Sequence, residues 1–279
     1  MVAADDCDRG GASPMGHTRT LAVLGCVAAG ASLMAAARAE NAPIPIIEVA
    51  AGAGATPVER GVEPDVCLDG MVLIEGDSCP RVEQRCLRWM DPPGKFHEYR
   101  CAEYSHPARC LAPRVHRRFC IDRRERSDAV TNLPYNVQSW NDAKRACEAA
   151  GARVCTDSEW TFACEGDELR PYPYGWSRAA DKCNADRFDL IDHHDRRRLR
   201  DERQPAGAHP ECASPFGVLD MAGNVAEWVS VDGYPEGAFV VQKGNWWQPG
   251  KHACRDRQAG HDRFYKGTET GFRCCAQAR

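Results

Sequence analysis

The sequence has no surplus of either charge, no cysteine pair at metal-clip spacing, no internal repeat and little helical periodicity. Each absence removes a class of protein. With a net charge of −4 over 279 residues, 27% of them charged, the chain lacks the basic footprint of a nucleic-acid binder and reads as a soluble globular protein. No C-x-x-C spacing occurs, so the usual zinc clips are excluded. What the chain has in excess is cysteine. It carries 16; Cys7 and Cys26 lie in a leader-like segment, and the even number that remains reads as the disulfide framework of an exported protein.

From Met15, "MGHTRTLAVLGCVAAGASLMAAARAE" has a short basic start, an apolar run and Ala37-Arg38-Ala39 ahead of Glu40. Residues 1–39 are therefore expected to be a secretory leader, starting at Met1 or at Met15. The run is short and rich in Ala and Gly, and no second span follows, so a membrane-spanning protein is not expected. "VLGC", ending at Cys26, resembles a lipoprotein box, but too little apolar sequence precedes it to favour a lipid anchor. The expected location is secreted or periplasmic. Residues 40–66, rich in Ala, Gly and Pro, read as a flexible linker. Residues 67–118 form a Cys-rich part of short strands and loops, whose bridge connectivity the sequence leaves open. Residues 119–279 form the principal domain, expected as a monomer.

Helix signals concentrate in "SWNDAKRACEAAGARVCTDSEWTFACEG". Ser139 with Asp142 makes a capping box, Trp140, Ala143, Cys147 and Ala150 follow at helical spacing, and Gly151 stops the helix. Thr156 and Glu159 make a second box, Trp160, Ala163 and Cys164 share a face, and Gly166 ends it. Beyond Gly166 no segment sustains a helix, which leaves loops and short strands. His193, His194 and Asp195 sit in a charged stretch that reads as a solvated loop. A second conceivable metal cluster, His252, Cys254 and His261, is weakened because a disulfide explains Cys254 better.

"LDMAGNVAEWV", together with "SWNDAKRACEAAGARVCTDSEWTFACEG", "YPYGW", "CNAD" and the terminal "TGFRCC", resembles the formylglycine-generating enzyme, or sulfatase-modifying-factor, family from about residue 119 to the end. "GMVLIEGD" at 70–77 is similar to the usual first strand of such domains. The resemblance implies an α+β, C-type-lectin-like fold that is loop-rich, with two short helices and small antiparallel sheets, stapled by disulfides. It implies the bridges Cys147 to Cys274 and Cys164 to Cys254; Cys155 to Cys275 is suggested by adjacency to the first.

A carboxylate inside an apolar, Trp-bearing run is costly unless something neutralises it, so Glu227 calls for a cation. The family typically holds calcium, which implies ligands from the side chains of Asn224 and Glu227 and the carbonyls of Gly223 and Val225, with Asn184 opening a second site. The alternative is a tight turn with Glu227 salt-bridged. Active members oxidise a client sulfatase's cysteine to an aldehyde with a copper(I)-binding cysteine pair near their C-terminus. Here no cysteine lies between Lys243 and Cys254, and anchoring on "GFRC" places Cys254 at a structural-disulfide position. Copper is therefore not expected, and no catalytic residue is assigned. Two functions follow: a calcium-stabilised binding module for an unidentified peptide, protein or glycan, its cleft floored by Trp246 and Trp247, or an enzyme with altered oxidoreductase chemistry on a protein cysteine. For Trp246 and Trp247 the alternative is an aromatic pair buried in the core.

Overall fold

The computed structural model describes residues 66–279 apart from 192–193 and 196–198. The leader, nearly all of the linker and His193 lie outside the described residues. Strand β1 (Met71–Ser78) pairs antiparallel with β6 (Val115–Asp122), Met71 opposite Asp122 and Ser78 opposite Val115. β6 pairs with β11 (Cys274–Gln277) and β11 with β7 (Arg153–Val154), giving the order β1-β6-β11-β7. Side chains alternate across β6, so Phe119 and Ile121 enter the main core while Cys120 faces the other way and is bonded to Cys67. A boundary drawn between residues 118 and 119 thus falls inside a strand: the Cys-rich part and the principal domain share one sheet, because β1 finds its hydrogen-bonding partner in β6.

A second sheet has the order β10-β8-β9, from β8 (Ala226–Ser230), β9 (Val240–Lys243) and β10 (Thr270–Gly271). β8 and β9 are antiparallel, but β10 runs parallel to β8, so the sheets are not all antiparallel as expected. Every residue of β8 and β9 is buried, which is why this stretch shows no in-out alternation. Two ribbons complete the strands: β2 (Val82–Glu83) with β5 (Arg109–Cys110), and β3 (Cys86–Trp89) with β4 (Cys101–Tyr104).

Both capping boxes form. In α1 (Trp140–Ala149) the Ser139 hydroxyl accepts from the Asp142 amide while the Asp142 carboxylate accepts from the Ser139 amide. Thr156 and Glu159 do the same for α2 (Asp157–Glu165), which ends at Gly166 with φ 65° against Pro215. Trp140, Ala143 and Cys147 are the buried face of α1; Ala150 becomes its exposed C-cap. α1 packs on β7, β8 and β11, and α2 on β6, β8 and β9. The largest core cluster, including Ile74, Phe119, Trp160, Phe162, Met221 and Val229, lies between α2 and the two sheets. Among the described residues no helix is long and apolar enough to cross a membrane.

Seven disulfides join all the described cysteines. Cys67–Cys120, Cys79–Cys110 and Cys86–Cys101 staple the Cys-rich part; Cys147–Cys274, Cys155–Cys275, Cys164–Cys254 and Cys183–Cys212 staple the rest. Cys147 and Cys274 are 127 residues apart. Replacing both by alanine is expected to lower stability by about 4 to 5 kcal/mol in the chain-entropy limit, read from denaturant midpoints; an unchanged midpoint would sink that account.

Candidate functional site

Gly223 and Asn224 turn the chain into β8 with φ of 85° and 57°. Gly223 lies so close to the Asn184 carbonyl that a Cβ would collide with it, so only glycine fits. The turn delivers Glu227 into the core, 1% exposed. Its Oε2 accepts from Trp160 Nε1 at 2.6 Å and from Arg273 Nε at 2.5 Å, and its Oε1 accepts from Arg273 Nη2 at 2.6 Å. Arg273 also donates to the carbonyls of Asp122 (3.2 Å) and Leu219 (2.9 Å). The cation that Glu227 demands is therefore a guanidinium held in a bidentate fork.

The donors around Glu227 do not fit a calcium ion. Both of its oxygens face nitrogen donors, and a divalent ion placed there would abut the Arg273 guanidinium. Asn224 Oδ1 accepts from Asn184 Nδ2 at 3.0 Å and from the Gln204 amide at 2.9 Å, while Asn184 Oδ1 accepts from Arg187 Nε at 3.0 Å. The chain thus brings Asn184, expected to open a second site, against Gly223 and Asn224, and hydrogen-bonds Asn184 to Asn224.

Two further buried acids complete the site, and the sequence reading missed both. Glu125 accepts from the Val225 amide at 3.0 Å and from Asn224 Nδ2 at 2.5 Å. Asp220 accepts from the Gly207 amide at 2.6 Å. Burial, reinforced by Asp220 and Glu227, pushes the Glu125 carboxyl well above its ordinary range. Burial pushes Asp220 up to about 6, against the Gly207 amide and Arg273, which pull it down. Burial would lower the pKa of Arg273, yet its acidic neighbours, Glu227 foremost, hold it above the ordinary value. The signal for Arg273 was in view: it is the one charged residue of "TGFRCC", a segment as apolar as the one that carries Glu227.

The remaining expected residues fall elsewhere. Trp246 and Trp247 meet edge to face at 4.8 Å and are 7% and 0% exposed, packed with Val225 and Ala226. They are buried in a cluster with Val225, Ala226 and Leu190 and do not form an exposed floor. His252 is buried with its ring nitrogens facing the carbonyls of Gly244 and Gln248, and burial lowers its pKa to about 4. His261 stacks on Tyr265 instead, and Cys254 is bonded to Cys164, so the three form no metal cluster.

The profile of the sulfatase-modifying factor enzyme 1-like domain matches residues 89–278. The chain belongs to this family. It is similar to the Inactive C-alpha-formylglycine-generating enzyme 2 of Mus musculus, 28% identical over 157 residues, covering 52% of this chain and 50% of that one. It is also similar to the Formylglycine-generating enzyme of Thermomonospora curvata, 29% identical over 145 residues, covering 50% and 42%. The chain thus spans half or less of the length of these curated relatives. The crystal structure of CarF superposes with a TM-score of 0.51 at 14% identity over 77% of this chain and 100% of that one, which shows a common fold. The family match begins within β3, so it takes in much of the Cys-rich part as well as the principal domain.

Arg273→Met is expected to cost about 3–5 kcal/mol, because it strands a buried carboxylate, whereas Arg273→Met with Glu227→Met recovers most of that loss; additive effects in a double-mutant cycle would overturn the pairing. A second expectation concerns pH. Asp220 has a folded pKa raised from 3.8 to about 6, so its contribution is fully present below pH 4 and is lost as pH rises through about 6. Between those limits the free energy of unfolding should fall by about 2–3 kcal/mol on this account. Asp220→Asn should flatten that slope in denaturant titrations at stepped pH.

Proposed function

We propose that this chain is an exported, non-catalytic member of its family, acting as a binding module for a peptide, protein or glycan. The observation that carries the reading is the pairing of every described cysteine, Cys254 with Cys164 among them. Copper(I) oxidation of a client cysteine needs thiolates at the site, and a bridged sulfur offers none. The similarity to a relative named as inactive points the same way. Seven disulfides in one domain suit an oxidising compartment, which supports secretion or a periplasmic location. In this reading the ion pair of Glu227 and Arg273 takes the place that calcium was expected to hold, and the folded state is calcium-independent at that position. The competing reading, an enzyme with altered oxidoreductase chemistry, would require one of the bridges to open.

The test is incubation of the disulfide-intact chain with copper, oxygen, a thiol reductant and a peptide bearing Cys-x-Pro-x-Arg, followed by mass spectrometry. No aldehyde above a Cys254→Ser control is expected; aldehyde above it would promote the enzyme reading. The melting temperature should be the same in calcium and in excess chelator, since a ligand specific to the folded state would raise it. A rise with calcium would restore a structural metal.

A further inference from the structure

A pocket of about 270 Å³ opens between the first turns of α2, the start of β6 and the segment after Cys254. Three arginines, Arg117, Arg255 and Arg257, line it together with Asp157, Glu165 and Asp232. Arg117 reaches it because it lies on the same face of β6 as Phe119 and Ile121, one step beyond the core. Arg255 and Arg257 reach it because the Cys164–Cys254 bridge fastens their segment to α2.

The carboxylates around this pocket are fully engaged. Glu165 accepts from Arg255 Nε at 2.7 Å and Nη2 at 2.5 Å. Asp232 accepts from the Ser158 amide at 2.9 Å and hydroxyl at 2.7 Å, so the helix N-terminus is already capped. Asp157 meets Lys243 on Oδ1 at 3.0 Å and Arg257 on Oδ2. The donors, in contrast, are in surplus. Arg117 Nε is buried without a hydrogen-bond partner, and the Lys243 ammonium, wholly buried behind Asp157, has its ion pair but no aligned hydrogen bond. The three arginines and three carboxylates of the lining balance, and Lys243 behind Asp157, whose pKa burial lowers, adds a fourth cation that Asp256 also faces.

We infer that this pocket binds a tetrahedral oxyanion, sulfate or phosphate, as the free ion or at the end of an ester. The unmet valence is entirely of donor type, and guanidinium forks match the edges of such an anion in pairs. The volume admits the anion together with part of the group that carries it. The inference goes beyond the binding-module reading and holds whether or not the chain oxidises cysteine, because Arg117, Arg255 and Arg257 take no part in the Glu227 network.

The experiment is isothermal calorimetry of the disulfide-intact chain at constant ionic strength, with inorganic sulfate, inorganic phosphate, glucose 6-sulfate and glucose 6-phosphate as probes and chloride as the compensating salt. Saturable binding of at least one probe is expected; tighter binding of the esters assigns the pocket to an ester, and equal binding assigns it to the free ion. Arg117→Ala and Arg257→Gln should each weaken binding about tenfold or more, as expected for losing hydrogen bonds to a charged group. Arg117→Lys, which keeps the charge but loses the fork, should fall between. Arg109→Gln, on the exposed β2–β5 ribbon, should change nothing. Absence of binding by all four probes, or undiminished binding by both folded Arg117→Ala and Arg257→Gln, would overturn the assignment.

Discussion

The fold depends on one buried ion pair, Glu227 with Arg273. The guanidinium reaches β8 through Glu227, the end of β6 through the Asp122 carbonyl and the loop before the Gly223 turn through the Leu219 carbonyl. Trp160 brings α2 to the same carboxylate. Stretches around residues 122, 160, 219–227 and 273 thus converge on one salt bridge. A buried pair of this kind adds little net stability over a well-packed apolar pair, yet removal of either partner is severe. Its contribution is specificity, since any other register of β8 against β10, which leads into Arg273, would strand a charge in the core. The two residues after Arg273 hold that register covalently, as Cys274 is bridged to Cys147 in α1 and Cys275 to Cys155 beside β7.

The same guanidinium must serve more than one acid. Glu125 and Asp220 are buried within its field, and both are raised, Glu125 well above its ordinary range. With Glu227 taking both ends of the fork, the other two acids have amide donors and a shared distant charge. Burial is the largest cause of both shifts, and the amide donors and Arg273 oppose it only in part.

What was legible in the sequence was what is encoded locally. Ser139 with Asp142 and Thr156 with Glu159 announce two helices because each box satisfies amides within four residues. The first strand and the order of motifs were equally plain, and the family match from residue 89 takes in that order. The Glu227 demand for a cation could be read from its apolar surroundings; the identity of the cation could not, since Arg273 lies 46 positions away. Glu125 was invisible in "IDRRER", where charged neighbours make a buried carboxylate look like a surface one. The burial of Trp246 and Trp247 and the parallel pairing of β10 with β8 are tertiary facts with no local signature.

The Cys164–Cys254 bridge carries two consequences at once. It leaves Cys254 without a thiolate, and it docks the segment from Cys254 to Arg257 onto α2. A free Cys254 would leave that segment without a covalent tie to the helix, and Arg255 and Arg257 would depend only on Glu165 and Asp157 for their positions. Both carboxylates are buried, so these pairs hold the arginines once the segment is in place, whereas the bridge ties the segment to the helix covalently. The bridge that leaves Cys254 without a thiolate is thus also the one that holds Arg255 and Arg257 beside α2.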